Sequence, residues 1–398
     1  MENDVIGKKI PTHYVGIGSS AGGFESLQII FQHMPADTGA TFIILQHLAP
    51  DFKSNMAEIL GAQSSMPVLE VTEGVTLLAN TVYVLPARQN AVLADGQLSL
   101  LEQPESNPTQ CVLDIFFQSL AVLQHRAIGV ILSGAGSDGA VGLKAIKEQG
   151  GMVIAQDPNT ASFDSMIQSV MRLGLADFVL PCEKIPQKII EYIRNLLPAD
   201  EFSIKSALQA NGETIGKIFD LLRQETNIDF SFYKHATIAR RIERRLWLNQ
   251  IKTLAEYLVL LKTQTEELQV LGKELLIGVT QFFREPKAFE IVGGLLEGFL
   301  LSEEKPTRTP LRIWSVGCST GEEAYSIAII CHEYFLKHQL FREVKIFATD
   351  ISRDALAFAS NGRYPLGIGQ QVSADRLRNY FNLENDAYVV KREIREMV

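Results

Sequence analysis

The chain opens on short apolar runs that alternate with longer segments of helical spacing. Tyr14–Gly18 is an apolar run ending in glycine, and Gly22–His33 puts Phe24, Leu27, Ile30 and Phe31 on one helical side. Thr41–Leu45, Val82–Leu85, Ala127–Leu132 and Gly151–Ala155 are further apolar runs, with a helical stretch, Ala140–Gln149, between the last two. Apolar runs without polar alternation suit strands buried on both faces. Strand and helix in alternation predict a doubly wound parallel sheet of the α/β class. Pro104 and Pro108 mark Gln103–Thr109 as a loop. Glu183–Leu197 keeps Ile185, Ile189, Ile190, Ile193 and Leu197 near helical period and predicts a closing helix.

Pro198 follows, and residues 196–212 are weakly patterned, so the first domain is assigned to residues 12–195 and the next stretch to a linker. Glu213–Gly272 carries only helical periods and predicts a small all-α domain over residues 213–275. Lys305–Pro310 is a polar break within a last region, residues 276–398. After it come strand Leu311–Val316, loop Gly317–Gly321, helix Glu322–Glu333 and strand Val344–Ala348. That order predicts a Rossmann-like unit of which two strands are visible.

Composition narrows the classes. At 398 residues, 46% hydrophobic and 21% charged, the chain can bury large cores and is not disordered. A net charge of −9 argues against a nucleic-acid partner. Cys111, Cys182, Cys318 and Cys331 have neither metal-ligand nor redox spacing. No run reads as a membrane span, and Met1–Lys9 lacks the apolar core of an export signal. The expected compartment is the cytoplasm, with no direct membrane insertion.

Gly18-Ser19-Ser20-Ala21-Gly22 fits G-x-S-x-G between a strand and a helix. Such a turn exposes the central serine, and the helix N-terminus offers free N–H groups to an oxyanion. A phosphate-binding turn fits the same residues. A serine nucleophile needs a base. His47 directly follows the strand Thr41–Gln46, with His13, His33 and His125 as competitors. The base needs an orienting acid. Asp138 sits in the glycine-rich loop after Ala127–Leu132, where it either faces the histidine or caps the following helix. The order Ser…His…Asp differs from the Ser…Asp…His of α/β-hydrolases.

Ile17–Gly23, Leu45-Gln46-His47, Leu132–Gly139 and Gly151–Pro158 resemble the catalytic domain of the chemotaxis protein-glutamate methylesterases, the CheB type. The resemblance implies Ser20 as nucleophile, His47 as base and Asp138 as orienting acid. It implies hydrolysis of γ-glutamyl methyl esters on chemoreceptor helices, glutamine deamidation as a second reaction, and no cofactor. Ala21 and Ala135 stand where the family often has threonine and methionine. Only a few residues precede the first strand, so the family's phospho-receiver domain and its control are expected to be missing.

Arg240, Arg241, Arg244 and Arg245 stack like charges at i,i+4 in an otherwise acidic chain, which points to a docking face for an acidic partner or RNA. Asp350 ends the strand Val344–Thr349, where a carboxylate either accepts ribose hydroxyls or caps the next helix. Val279–Glu285, Arg312–Ile327, Phe347–Asp350 and Asn361–Tyr364 resemble the chemotaxis receptor methyltransferases, the CheR type. The resemblance implies S-adenosylmethionine as cofactor, held by Thr280, Arg284, Glu323 and Asp350. It implies that Arg241, Arg244 and Arg245 dock the receptor; the alternatives are a non-enzymatic adaptor that docks on a receptor or signalling kinase through Arg240–Arg245, and a serine hydrolase or deamidase of another signalling pathway. Gly278 stands where an asparagine is often found. The family continues with more strands than are visible here, so either the chain is a piece of a longer fusion or its last domain is degenerate. Weak or no methyl transfer is expected of these 398 residues.

Overall fold

The computed structural model describes residues 9–46, 55–86, 89–102, 111–195, 212–276, 278, 280–301, 310–339, 342–385 and 387–398. They form two compact units, residues 1–275 and 276–398, each described by itself.

The first unit begins β1 (His13–Ser19), α1 (Gly23–His33), β2 (Ala40–Gln46) and α2 (Met56–Gly61). It continues β3 (Val68–Glu70), β4 (Val75–Thr76), β5 (Thr81–Val84), β6 (Gln89–Ala94), β7 (Gln97–Glu102) and α3 (Val112–Ala121). Then come β8 (Ala127–Ile131), α4 (Ala140–Glu148), β9 (Met152–Gln156), α5 (Ser165–Arg172), β10 (Phe178–Leu180) and α6 (Ile185–Asn195). Seven strands pair in parallel in the order β10-β9-β8-β1-β2-β5-β3. The doubly wound sheet read from the apolar runs is therefore present. Its central strands are buried along their whole length, with one apolar core on each face. From β1 the chain first builds outward through β2 and later returns to build through β8. The strand order reverses there, and open sheets hold their ligands at the carboxyl ends of the strands beside such a reversal.

Two features go beyond the elements expected from the apolar runs. β3 and β10 are three-residue edges, too short to show a period. A second, antiparallel sheet, β4-β7-β6, turns at Asp95-Gly96 with both residues at positive φ, +49° and +77°. That Asp-Gly pair is a hairpin signal the sequence reading passed over. The expected loop 103–109 and residues 196–211 of the linker lie outside the described residues.

The all-α part holds α7 (Gly212–Thr226), α8 (His235–Leu248), α9 (Leu254–Thr263) and α10 (Thr265–Leu275). Here one expectation is overturned. Arg241, Arg244 and Arg245 are buried, Arg244 completely, and do not present a docking face. Arg241 donates to the Lys147 carbonyl at 2.9 Å, and Arg244 Nε to the Gly151 carbonyl at 3.0 Å. Arg244 also pairs with Asp177 and, at 2.5 Å, with Glu274, while Arg245 pairs with Glu267 and with Glu274 at 3.1 Å. Stacked like charges are tolerated because each guanidinium meets a carboxylate or carbonyl. A sequence shows which charges are adjacent on a helix, but not that another domain covers them. Trp247 and Leu248 pack on the apolar core of the sheet next to these pairs.

Gly151 and Asp177 immediately precede β9 and β10. The helices therefore dock on the amino-terminal edge of the parallel sheet. Burial opposes ionisation of Asp177, but Arg244 and then Lys147 overcome it and hold the carboxyl below the ordinary carboxylate range.

The second unit runs α11 (Pro286–Leu301), β11 (Leu311–Val316), α12 (Glu322–Lys337), β12 (Val344–Thr349) and α13 (Arg353–Asn361), close to the expected order. It then adds β13 (Arg363–Pro365), α14 (Ala374–Tyr380), β14 (Phe381–Glu384), β15 (Ala387–Val390) and α15 (Arg392–Arg395). β11 and β12 are parallel, whereas β13-β15-β14 is an antiparallel sheet that the sequence reading missed. Trp314 is 68% exposed, and Val316, Phe347 and Ile351 are also exposed.

Removing one partner of a buried charge network leaves the other uncompensated. Arg244→Ala is expected to cost about 3–5 kcal/mol in urea unfolding of the full chain. A loss below about 1 kcal/mol contradicts that burial. Asp177 gives the sign of the pH dependence. Its folded pKa is lowered, so its contribution is complete above the unfolded value near about 4 and is lost as pH falls below it. Asp177→Asn should therefore flatten the acid limb of stability, read as urea midpoint against pH.

Candidate active site and cofactor site

β1 delivers Ser20 to a turn at the carboxyl edge of the sheet, beside the strand-order reversal. The Ser20 N–H donates to the Ser133 carbonyl at 3.0 Å, which ties the turn to the loop after β8. Gly22 caps α1 with φ +73°, a conformation that favours glycine. A Cβ there would lie 2.7 Å from Ser162 Cβ. Gly134 is needed for a different reason: a Cβ would come within 3.0 Å of Ser20 Cβ and 2.1 Å of Met166 Sδ. Ser20 is half-buried. At the helix N-terminus the N–H groups of Ala21, Gly22 and Gly23 differ in what they meet. The Gly23 N–H is taken by the Ser20 carbonyl at 3.0 Å, while among the described residues Ala21 and Gly22 N–H have no acceptor.

The competing histidines fall away. His13 opens β1 at the opposite edge, where burial first, then His125 and Arg126, lower its pKa to about 4. His125 precedes β8, also at that edge, with its ring 5.1 Å from Trp247. His33 bonds the Ile29 carbonyl at 2.8 Å within its own helix. His47 lies outside the described residues. The described strand before it ends in register, with Gln46 opposite Ser19.

Asp138 caps a helix, but not the one that follows it. Its carboxylate accepts the N–H groups of Leu113 at 3.0 Å and Asp114 at 3.1 Å, the amino end of α3. Asp114 in turn accepts the Gly142 N–H at 2.7 Å, at the amino end of α4. The two aspartates thus cap each other's helices, with the helix dipoles facing them. Burial raises Asp138 to about 6, against the pull of the Leu113 and Asp114 N–H groups. Burial and then the Asp138 charge push Asp114 well above the usual range. At neutral pH Asp138 is therefore mostly an anion. Donor atoms of Cys111, Asp114 and Asp138 lie within 4.8 Å of one another. Two helix ends already meet the carboxylates, so the cluster reads as reciprocal capping.

The sequence reading assigned no role to Gln156, which organises the site from behind. Its Oε1 accepts from Ser133 N at 2.9 Å and Ser26 Oγ at 3.0 Å. Its Nε2 donates to the Thr160 carbonyl at 3.1 Å. This glutamine joins the first turn of α1, the loop after β8 and the loop after β9. A glutamine directly before Asp157-Pro158 at a strand end was the available signal.

In the second unit the glycine loop after β11 holds Gly317 and Gly321 at φ +73° and +94°, with open space where a Gly317 Cβ would be. Asp350 fastens that loop by accepting Ser319 N–H and Ser352 N–H, each at 2.8 Å. Ser352 itself caps α13, so the carboxylate is not the helix cap and keeps acceptor capacity. Glu323 is exposed and accepts from Ser315 Oγ at 2.8 Å, whereas neighbouring Glu322 is buried. The segment with Thr280 and Arg284 lies against the same loop. Phe283 N–H donates to Ser326 Oγ at 3.0 Å, and a Cβ on Gly278 would sit 2.4 Å from Ser319 Oγ. An asparagine at 278 therefore requires Ser319 to move. Arg284 is exposed and Thr280 half-buried. A glycine loop with open space, a strand-end carboxylate and a nearby exposed guanidinium fit a nucleoside with an amino-acid end.

Residues 15–189 match the family model for the CheB methylesterase. Residues 213–276 match the CheR methyltransferase all-alpha domain, and residues 278–398 its SAM binding domain. An uncharacterized 104.1 kDa protein of Rhodobacter capsulatus is 32% identical over 364 residues, 86% of this chain and 38% of that protein. A protein-glutamate methylesterase/protein-glutamine glutaminase of Burkholderia thailandensis is 36% identical over 184 residues, 45% of this chain and 53% of its own. The crystal structure of the Thermotoga maritima CheB methylesterase catalytic domain is 34% identical, with TM-score 0.43, over 46% of this chain and 99% of that one. The chain spans about half the length of the Burkholderia relative and less of the Rhodobacter one. Residues 15–189 belong to the CheB methylesterase family, and residues 213–398 carry the two domains of a CheR methyltransferase.

Proposed function

We propose that the first domain hydrolyses γ-glutamyl methyl esters on methyl-accepting chemoreceptors. The observation that carries this is the strand register. Ser20, the end of β2 before His47, and the loop bearing Asp138 all leave the same edge of the sheet. Ser20 Oγ attacks the ester carbonyl while His47 takes its proton. Ala21 and Gly22 N–H receive the oxyanion. His47 returns the proton to the leaving oxygen, the carbon–oxygen bond breaks, and methanol departs. Water, deprotonated by His47, then attacks the acyl-serine carbonyl, the bond to Ser20 Oγ breaks, His47 returns the proton to that oxygen, and glutamate leaves. Asp138, an anion at neutral pH, holds the imidazole and stabilises its charged form. The relatives' printed names pair this activity with a glutaminase, and the same site acting on an amide releases ammonia instead.

The second reading concerns residues 276–398, where Thr280, Arg284, Glu323 and Asp350 hold S-adenosylmethionine. Bound there, the cofactor supplies a methyl group for a glutamate carboxylate. Asp350 takes the ribose hydroxyls, and Arg284 holds the carboxylate end or nearby polar groups. The glycine loop lets the backbone approach.

Ser20→Ala should lower methanol release from methylated receptor about 10,000-fold or more with the fold intact by circular dichroism. Retained release sinks the esterase reading. Ammonia release from a receptor with glutamine at the methylation site tests the amide reaction in the same pair. For the cofactor site, Asp350→Ala should weaken S-adenosylmethionine binding about tenfold or more by titration calorimetry on the full chain. An unchanged affinity removes Asp350 from the site.

A further inference from the structure

Phe163 stands out on the catalytic edge. It is 51% exposed, and among the described residues of 15–189 it is the one exposed aromatic. Single exposed apolar residues are common on protein surfaces, so exposure alone carries little. Position and rigidity distinguish this one.

The backbone of Phe163 is built into the support of the nucleophile. Its N–H donates to Ser133 Oγ at 3.0 Å, and its carbonyl accepts Gly134 N–H at 2.9 Å. Ser133 Oγ donates to the Ala21 carbonyl at 2.9 Å, and Ser133's own carbonyl receives Ser20 N–H. Gly134 is the residue whose Cβ would abut Ser20 Cβ, and the preceding Ser162 packs against Gly22. Phe163 is thus fixed at its N–H and its carbonyl to the loop that holds the serine turn, while its side chain is exposed. Met166, three residues on, takes the buried place beneath Gly134. An aromatic side chain held by a rigid backbone has little entropy to lose on contact.

We infer that Phe163 is a specificity-determining residue that packs against the apolar flank of the receptor helix carrying the ester. This rests on the esterase reading. A modified glutamate on an amphipathic helix has apolar neighbours three or four residues away on the adjoining face. With the glutamyl side chain drawn toward Ser20, such a neighbour falls beside the active-site serine. A small ester has no such flank and does not need the ring.

The test uses the full chain and two substrates, a methylated receptor fragment and p-nitrophenyl acetate. Phe163→Ala should raise KM for the receptor about tenfold while leaving kcat and the small-ester rate unchanged. Phe163→Leu, which restores apolar area, should recover most of the loss. An unchanged receptor KM overturns the inference. So does an equal fall with both substrates, which means the loop itself was disturbed. Ser20→Ala separates the two levels. If it stays active the esterase reading fails, and if it is dead while Phe163→Ala keeps its KM only the Phe163 inference fails.

Discussion

Buried carboxylates must meet positive charge or N–H groups, and the first unit is organised around where they do. Asp177 meets Arg244 and Lys147, and through them a helical domain is locked to a sheet. Asp138 and Asp114 meet the amino ends of α3 and α4. Any of these left unmatched would cost several kcal/mol. In the second unit the half-buried Asp350 likewise meets N–H groups and fastens a glycine loop to the strand beside it.

The two sets of charges sit at opposite edges of one sheet. The arginine helix closes the amino-terminal edge, and the serine turn opens on the carboxyl edge. The arginine helix therefore packs at the edge opposite Ser20. Helix ends at the carboxyl edge carry both the N–H groups of Ala21 and Gly22 and the caps that hold Asp138. Stability and chemistry draw on the same parallel topology, from opposite ends of the strands.

Much of this was legible because its causes are local. Apolar runs without alternation identified the central strands, since those residues are buried on both faces. Glycines around Ser20 and in Gly317–Gly321 marked turns that need positive φ. The edges were harder. Three-residue strands are too short to show a period of their own, and β3 and β10 are held by strands distant in sequence. Gln156 before Asp157-Pro158 marks a strand end in the sequence, but its bonds to Ser26, Ser133 and Thr160 show only in the folded chain.

The arginines show the same boundary most sharply. By itself the sequence determined the strand and helix order, the Ser20 turn, and a density of positive charge on one helix. Those properties follow from neighbours a few residues away. Only the tertiary structure decided that this charge faces inward, and that Asp138 caps α3 instead of the helix it precedes. Both depend on pairing a group with one far along the chain, from Arg244 to Asp177 and from Asp138 to Leu113. The free energy of a buried charge is set by what surrounds it in space, which adjacency along the chain does not encode.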